Sequence, residues 1–297
     1  MLKCSPEEHP FFEVSWKISN KCNFNCPYCV RVLKEDDEKP DYIGIALKIN
    51  EMFDSYRPEN GQLYITGGEP MLWPIETLCD GVFNSPWLKL IRITSNMSLP
   101  KERYLLTRRI LESKGKKFLL KGSLHQTTLE NQKAFIEKCS ECLCDTINIV
   151  CNDDNYAEYL LLLQNYNFDG NRTIEVNGRK IDINWMVERL TGGGVSDRVK
   201  NIPRKSRTFA IANSGCLCSA GMTTIRVEPN GDLKLCASTP VIGNIKEDIP
   251  ERIYKPYHCT RKTCPGCYNV WVWDRENINF IHRYKHSEFN RDKENLE

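Results

Sequence analysis

Three cysteines in the segment KCNFNCPYC, Cys22, Cys26 and Cys29, follow directly on a strand-like run from Phe12 to Ser19. Thiolates packed this closely on one loop constrain the fold around them. If they act together they surround one inorganic centre, and the preceding strand must end at its rim. The C-x3-C-x2-C spacing can hold three irons of a four-iron cubane, leaving the fourth iron open to a small chelating molecule. Taken alone, the same spacing also suits part of a zinc site, or chance in a cysteine-rich chain.

The next strand narrows the choice. Residues 62–66 (QLYIT) alternate apolar and polar side chains and run into Gly67-Gly68-Glu69-Pro70. A glycine pair at a strand end lets backbone approach a ligand closely and turn bare N–H and C=O groups toward it. The cysteine loop, with Tyr28 before its last cysteine, and GGEP one strand–helix unit later together resemble the radical S-adenosylmethionine (SAM) enzymes. The resemblance implies that Cys22, Cys26 and Cys29 hold a catalytic [4Fe–4S] cluster whose open iron chelates the amino and carboxylate groups of SAM. Tyr28, Gly67, Gly68, Glu69 and Pro70 then lie beside that cofactor. It further implies reductive cleavage of SAM to a 5′-deoxyadenosyl radical that takes a hydrogen atom from substrate.

At 297 residues, 40% hydrophobic and 27% charged, the chain can bury one large domain and a smaller one. A net charge of +2 creates no field that would gather nucleic acid or anionic membrane. No apolar stretch approaches the roughly 18 residues of a membrane span, and the N-terminal MLKCSPEEHPFFEV lacks the apolar centre of a secretion signal. Fifteen cysteines are therefore expected to be reduced thiols and metal ligands of a cytoplasmic protein rather than disulfides.

Strand and helix patterns alternate along the first two thirds of the chain. Strands are expected at 12–19, 62–66, 89–94, 117–124, 145–150 and 181–186, with helices near 40–56, 72–84, 100–114, 128–142 and 154–166. Such alternation implies right-handed βαβ units on a parallel sheet, and six strands fall short of a closed eightfold barrel. The expected fold is α/β: the family's partial (β/α)6 TIM-type barrel over residues 1–191, with ligands at the C-terminal strand ends. By the same resemblance Ser95, Asn96, Ser123 and His125 border the methionine and ribose of SAM, and Met186 lies near its adenine. Hydroxyl and amide groups there can bond ribose and carboxylate, although ordinary turn chemistry accounts for the same residues without a ligand. His125 stands where many relatives carry an acidic residue, so it reads either as a SAM contact or as a substrate-side acid or base. Asn148 and Asn152, around the fifth strand, are weaker candidates.

Residues 192–214, with Gly192-Gly193-Gly194 and the cations Arg198, Lys200, Arg204, Lys205 and Arg207, read as a linker. Beyond it, Cys218-x12-Gly231-x4-Cys236 brackets a β-hairpin in which Asn230-Gly231 signals a two-residue turn. Cys264-Pro-Gly-Cys267 adds two thiolates, completing a four-thiolate site for zinc or a [4Fe–4S] cluster, with Cys216 and Cys259 as alternates. The spacing resembles the twitch domain, a short relative of SPASM, and so implies an auxiliary [4Fe–4S] cluster. That places a small C-terminal β-hairpin/loop auxiliary iron–sulfur domain at 215–270 and a helix or tail at 271–297. Cys139, Cys142, Cys144 and Cys151 read instead as small buried hydrophobes.

A four-cysteine cluster has no open iron, so its expected work is to move one electron. With SAM and two [4Fe–4S] clusters, the chain is expected to be a radical SAM oxidoreductase that dehydrogenates a small molecule, similar to aminocyclitol dehydrogenases. A maturase of ribosomally made peptides is the alternative. A non-catalytic iron–sulfur or RNA-binding protein, suggested by the aromatic and basic mixture around Trp271, Trp273, Phe280 and His282, is remote. The expected partners are a flavodoxin or ferredoxin as reductant and the small-molecule or peptide substrate, with neither membrane nor nucleic acid among them.

Overall fold

Phe12, Val14 and Trp16 are wholly buried and alternate with Glu13, Ser15 and Lys17, so the first strand gives one face to the core and the other to the interior of a curved sheet. The same period recurs down the chain. The structure, a computed structural model, describes residues 11–26, 28–29, 40–151, 155–170, 172–187, 217–218, 220–236, 239–252, 257–258, 271–273 and 280–282.

Strands β1 (Phe11–Lys17), β2 (Asn60–Thr66), β3 (Leu88–Ser95), β4 (Lys117–Leu124) and β5 (Thr146–Cys151) lie side by side and parallel. After β6 (Thr173–Val176), the chain turns back as β7 (Arg179–Val187), which pairs parallel with β5 as the sixth strand of the half-barrel. Helices α1 (Tyr42–Tyr56), α2 (Ile75–Gly81), α3 (Lys101–Ser113), α4 (Leu129–Glu141) and α5 (Tyr156–Gln164) separate the strands. The six expected strands and five expected helices are all present, and the partial-barrel expectation holds. Local chemistry sets several boundaries: the Asp41 side chain accepts from Gly44 N–H to start α1, and Thr128 caps α4 through Asn131 N–H.

Within the half-barrel region, β6 is the strand that the expected set omits. Its hairpin with β7 turns on Asn177-Gly178, both at positive φ (51° and 75°), as a two-residue loop matched to strand twist requires.

The cysteine-flanked hairpin forms as β9 (Thr224–Val227) and β10 (Asp232–Lys234), and β9 pairs parallel with β1, so the hairpin and β11 (Gly243–Asn244) extend the main sheet beyond β1. Its turn differs from the expected two-residue form. Gly231 N–H bonds Glu228 C=O and Glu228 N–H bonds Asp232 C=O, which centres the turn on Pro229-Asn230 and leaves Gly231, at φ 93°, as a bulge. After β11, Arg252 donates to Phe11 C=O at 3.2 Å and stacks over the Phe12 ring, while Tyr56 hydroxyl donates to Pro250 C=O. These contacts tie the C-terminal segment to α1 and the start of β1.

A second antiparallel sheet holds β8 (Leu217–Cys218), β12 (Tyr257–His258), β13 (Trp271–Trp273) and β14 (Phe280–His282), with β8 between β12 and β13. The helix expected within 271–297 is corrected for these residues: WVW and FIH, rich in aromatic and β-branched side chains that suit a pleated surface, pair as strands. Cys139, Cys142, Cys144 and Cys151 are fully buried, and burial holds the Cys142 thiol up at about 12 and that of Cys139 well above the thiol range. They behave as apolar core, as expected. No helix among the described residues is long and apolar enough to cross a membrane.

Candidate active site

The C-terminal end of β2 is stitched to the segment that leads into the cysteine loop. Gly68 N–H donates to Ser19 C=O at 2.8 Å and Glu69 N–H to Lys21 C=O at 2.9 Å, prolonging the β1–β2 ladder past both strands. Gly67 is required there: its φ is 142°, and a Cβ would lie 2.4 Å from Ser19 C=O. The N–H groups of Gly68 and Glu69 are thus spent inside the protein, and the backbone carbonyls are what this turn can offer a ligand.

Glu69 is buried, and both oxygens of its carboxylate accept. Oε1 takes bonds from Met71 N–H (2.9 Å) and Ser95 hydroxyl (2.8 Å), and Oε2 takes one from Asn96 N–H (2.6 Å). Burial pushes this carboxyl above its ordinary range, opposed by those bonds and by the Arg103 charge. Ser95 hydroxyl also lies 3.0 Å from Tyr104 hydroxyl and accepts from Met97 N–H. Glu69 and Ser95 therefore brace β2 against β3, and Pro70, also buried, opens the short 3-10 turn beyond.

Asn96 and His125 reach the cysteine loop from the adjacent strand ends. Asn96 Nδ2 lies 2.8 Å from Asn23 Oδ1 and 3.8 Å from Cys22 Sγ. His125 Nδ1 is 2.7 Å from Tyr28 hydroxyl, with the Phe24 ring edge-on at 6.3 Å. Burial lowers the imidazole pKa to about 4, so the ring is neutral near pH 7. Asn23 and Phe24 were not singled out from sequence, though both lie inside the cysteine motif.

The cysteines themselves suit a cluster. Cys22 and Cys26 are half-buried and Cys29 exposed. Cys22 Sγ already accepts from Phe24 N–H at 3.4 Å, as a cluster sulfur would. Among the described residues no three His, Cys, Asp or Glu side chains converge as one metal ion would need. A cubane makes no such demand, because each thiolate holds its own iron.

Ser123 and Met186 lie at the ends of β4 and β7. Ser123 Oγ accepts from Asn148 at 3.3 Å, and Asn148 Oδ1 accepts from Asn184 at 2.8 Å; Met186 is 42% exposed, open to a ligand. Asn184 was missed in the sequence, where one asparagine in an apolar strand carries no signal of its own. On the auxiliary side, Cys218 pairs through its backbone with Tyr257 and Val272, and Cys236 is half-buried beside Thr239. Cys264, Cys267, Cys216, Cys259, Asn152 and the 192–214 linker lie outside the described residues.

No protein-family model matches the chain, and no curated protein does. Solved structures do match. Hexahistidine-tagged anSMEcpe with bound AdoMet superposes with a TM-score of 0.55 at 13% identity, over 82% of this chain and 77% of that one. Native anSMEcpe with bound AdoMet and Kp18Cys peptide gives 0.51 at 14% identity, over 81% and 79%. BtrN in complex with AdoMet and 2-DOIA scores lower, 0.43 at 15% identity, over 80% and 79%. At the level of fold, the resemblance to radical SAM enzymes is borne out: the chain has the α/β partial-barrel fold of anSMEcpe.

Proposed function

We propose that this chain is a radical SAM oxidoreductase acting on a small polar molecule. The observation that carries the reading is the joining of the cysteine loop to three neighbouring strand ends: by Gly68 and Glu69 from β2, by Asn96 after β3 and by His125 after β4. Cys22, Cys26 and Cys29 would hold a [4Fe–4S] cluster, and the backbone carbonyls of the Gly67–Gly68 turn, whose neighbouring N–H groups are already spent, would be what it offers to SAM. When bound, these groups supply the electron and the adenosyl radical that removes hydrogen from substrate. The protein's part is to fix the loop, to keep His125 neutral beside Tyr28, and to shape the half-barrel that receives the substrate.

Residues 215–270 are proposed as an auxiliary unit in which Cys218, Cys236, Cys264 and Cys267 hold a second [4Fe–4S] cluster. The register supports this: β12 and β13, which flank the segment carrying Cys264 and Cys267, both pair with β8 at Cys218. Net dehydrogenation is the proposed outcome, with a flavodoxin or ferredoxin as reductant in the cytoplasm. Peptide oxidation is the second reading, favoured by the peptide bound in the anSMEcpe structure.

Anaerobically reconstituted protein should carry about eight irons and eight sulfides, because each constellation suits a four-iron cluster. Replacing Cys22, Cys26 and Cys29 together by Ala should leave about four and abolish 5′-deoxyadenosine formation from SAM. A triple variant that still forms 5′-deoxyadenosine overturns the reading.

A further inference from the structure

The inward side of the half-barrel is polar at the two levels just below its rim. Strand register sets Lys17 beside Thr66, and aligns Thr94, Lys121 and Asp182 in a row that crosses β5 at Thr146. One rung nearer the strand ends, Ser123, Asn148 and Asn184 form the next row, joined by their own hydrogen bonds. The residues that alternate with them along the strands, including Leu120, Ile147, Ile149 and Ile183, are buried in the core on the opposite face. Apolar character returns only near the rim, at Val150 and Met186.

Such a wall penalises an apolar substrate, which would strip water from amides, hydroxyls and charges without replacing their bonds. It rewards a ligand that carries its own hydroxyl groups. The Ser123–Asn148–Asn184 row runs donor to acceptor in one direction, which leaves the Ser123 O–H to donate and Asn184 Oδ1 to accept. In the lower row the described residues carry two lysines, Lys17 and Lys121, and one aspartate, Asp182, so the excess charge of that row is positive. Lys17, Lys121 and Asp182 all engage other groups of the chain, so a ligand anion would be taken up by exchange.

We propose that the half-barrel takes a small hydroxylated substrate bearing a carboxylate or phosphate, with Lys121 holding the anion and the Ser123–Asn148–Asn184 row its hydroxyl groups, which assigns Ser123 to the substrate rather than to SAM. This rests on the reading of the half-barrel as the active site of a radical SAM enzyme. The test uses the full reconstituted chain with SAM and three probes titrated by calorimetry: D-gluconate, D-glucose 6-phosphate and neutral sorbitol. At least one anionic probe should bind about tenfold tighter than sorbitol. Lys121→Ala should weaken that probe roughly ten- to hundredfold, the loss of one bond to a charged group, while Lys121→Arg retains part of the affinity. Iron content and thermal unfolding of each variant verify that it is folded and loaded. Whichever anion responds identifies the source of the charge. Equal affinity for all three probes, no binding of either anion, or an anion affinity unmoved in Lys121→Ala overturns the proposal. Formation of 5′-deoxyadenosine by the wild type is measured alongside, so failure of the radical SAM reading is seen separately from failure of the substrate class.

Discussion

The carboxylate of Glu69 accepts a 2.6 Å hydrogen bond from the backbone N–H of Asn96, and the Asn96 side chain lies 3.8 Å from Cys22 Sγ. A buried acid at the end of one strand thus holds the end of the next, and through it the first cysteine of the loop. Because Asn96 N–H, Met71 N–H and the Ser95 hydroxyl all point at this group, it must offer acceptors on both oxygens.

Glu69→Gln should therefore destabilise the fold. One oxygen becomes an NH2 that faces an N–H donor, and a buried donor without an acceptor costs about 1–3 kcal/mol. The midpoint of thermal unfolding should fall by roughly 2–4 °C per kcal/mol. Unfolding followed by circular dichroism checks this; an unchanged midpoint with weakened SAM binding would instead make Glu69 a direct ligand contact.

Gly67→Ala should be worse tolerated than an ordinary glycine replacement at a surface turn. The new Cβ would sit 2.4 Å from Ser19 C=O in a backbone conformation, φ 142°, that L side chains rarely adopt. Strain of about 1–3 kcal/mol would be relieved by shifting the segment just before Cys22. Lower iron incorporation on anaerobic reconstitution, together with a lower unfolding midpoint, is the expected result.

The half-barrel was legible because period-two burial and Gly or Pro punctuation repeat from Phe12 to Trp185. β6 was hidden by its length: four residues (TIEV) carry too little pattern, although the Asn177-Gly178 turn after it is a plain hairpin signal. At the site, the motifs gave the loop and the turn that meet, but not the direction of their bonds. Gly68 reads from sequence as a bare backbone group, yet its N–H is consumed by Ser19; Glu69 and Ser95 read as residues beside the ligand, and what the sequence could not show is that the Ser95 hydroxyl donates to the Glu69 carboxylate. Spacing reports which residues reach a strand end. Only packing in three dimensions decides whether they bond a ligand or one another. The polar rows containing Lys121 and Asn184 escaped for a related reason, since each strand contributes one or two polar residues and the pattern exists only across strands.

His125 should make stability fall on acidification. The unfolded chain's imidazole titrates near 6.5, whereas burial lowers the folded value to about 4. Between those values the unfolded state binds more protons, so stability is full above about pH 6.5 and is lost progressively toward pH 4. Urea unfolding at stepped pH should show this slope, and His125→Gln should flatten it. An identical slope in the variant would assign the acid sensitivity to other groups.

Asn96→Ala should shift the potential of the cluster held by Cys22, Cys26 and Cys29 to more negative values. A donor near a cluster sulfur stabilises the reduced, more negative state, and Asn96 Nδ2 is placed 3.8 Å from Cys22 Sγ. Loss of about 0.5–1.5 kcal/mol corresponds to roughly 20–65 mV for one electron. Asn96→Ala also removes the acceptor for Ser98 N–H, so iron content and the unfolding midpoint are measured alongside to verify that the variant is folded and loaded. Potentiometric titration followed by electron paramagnetic resonance should place Asn96→Ala below the wild type. If Asn96→Ala keeps the wild-type potential, the amide contributes nothing to the sulfur and serves only to fold the loop around Asn23 and Ser98.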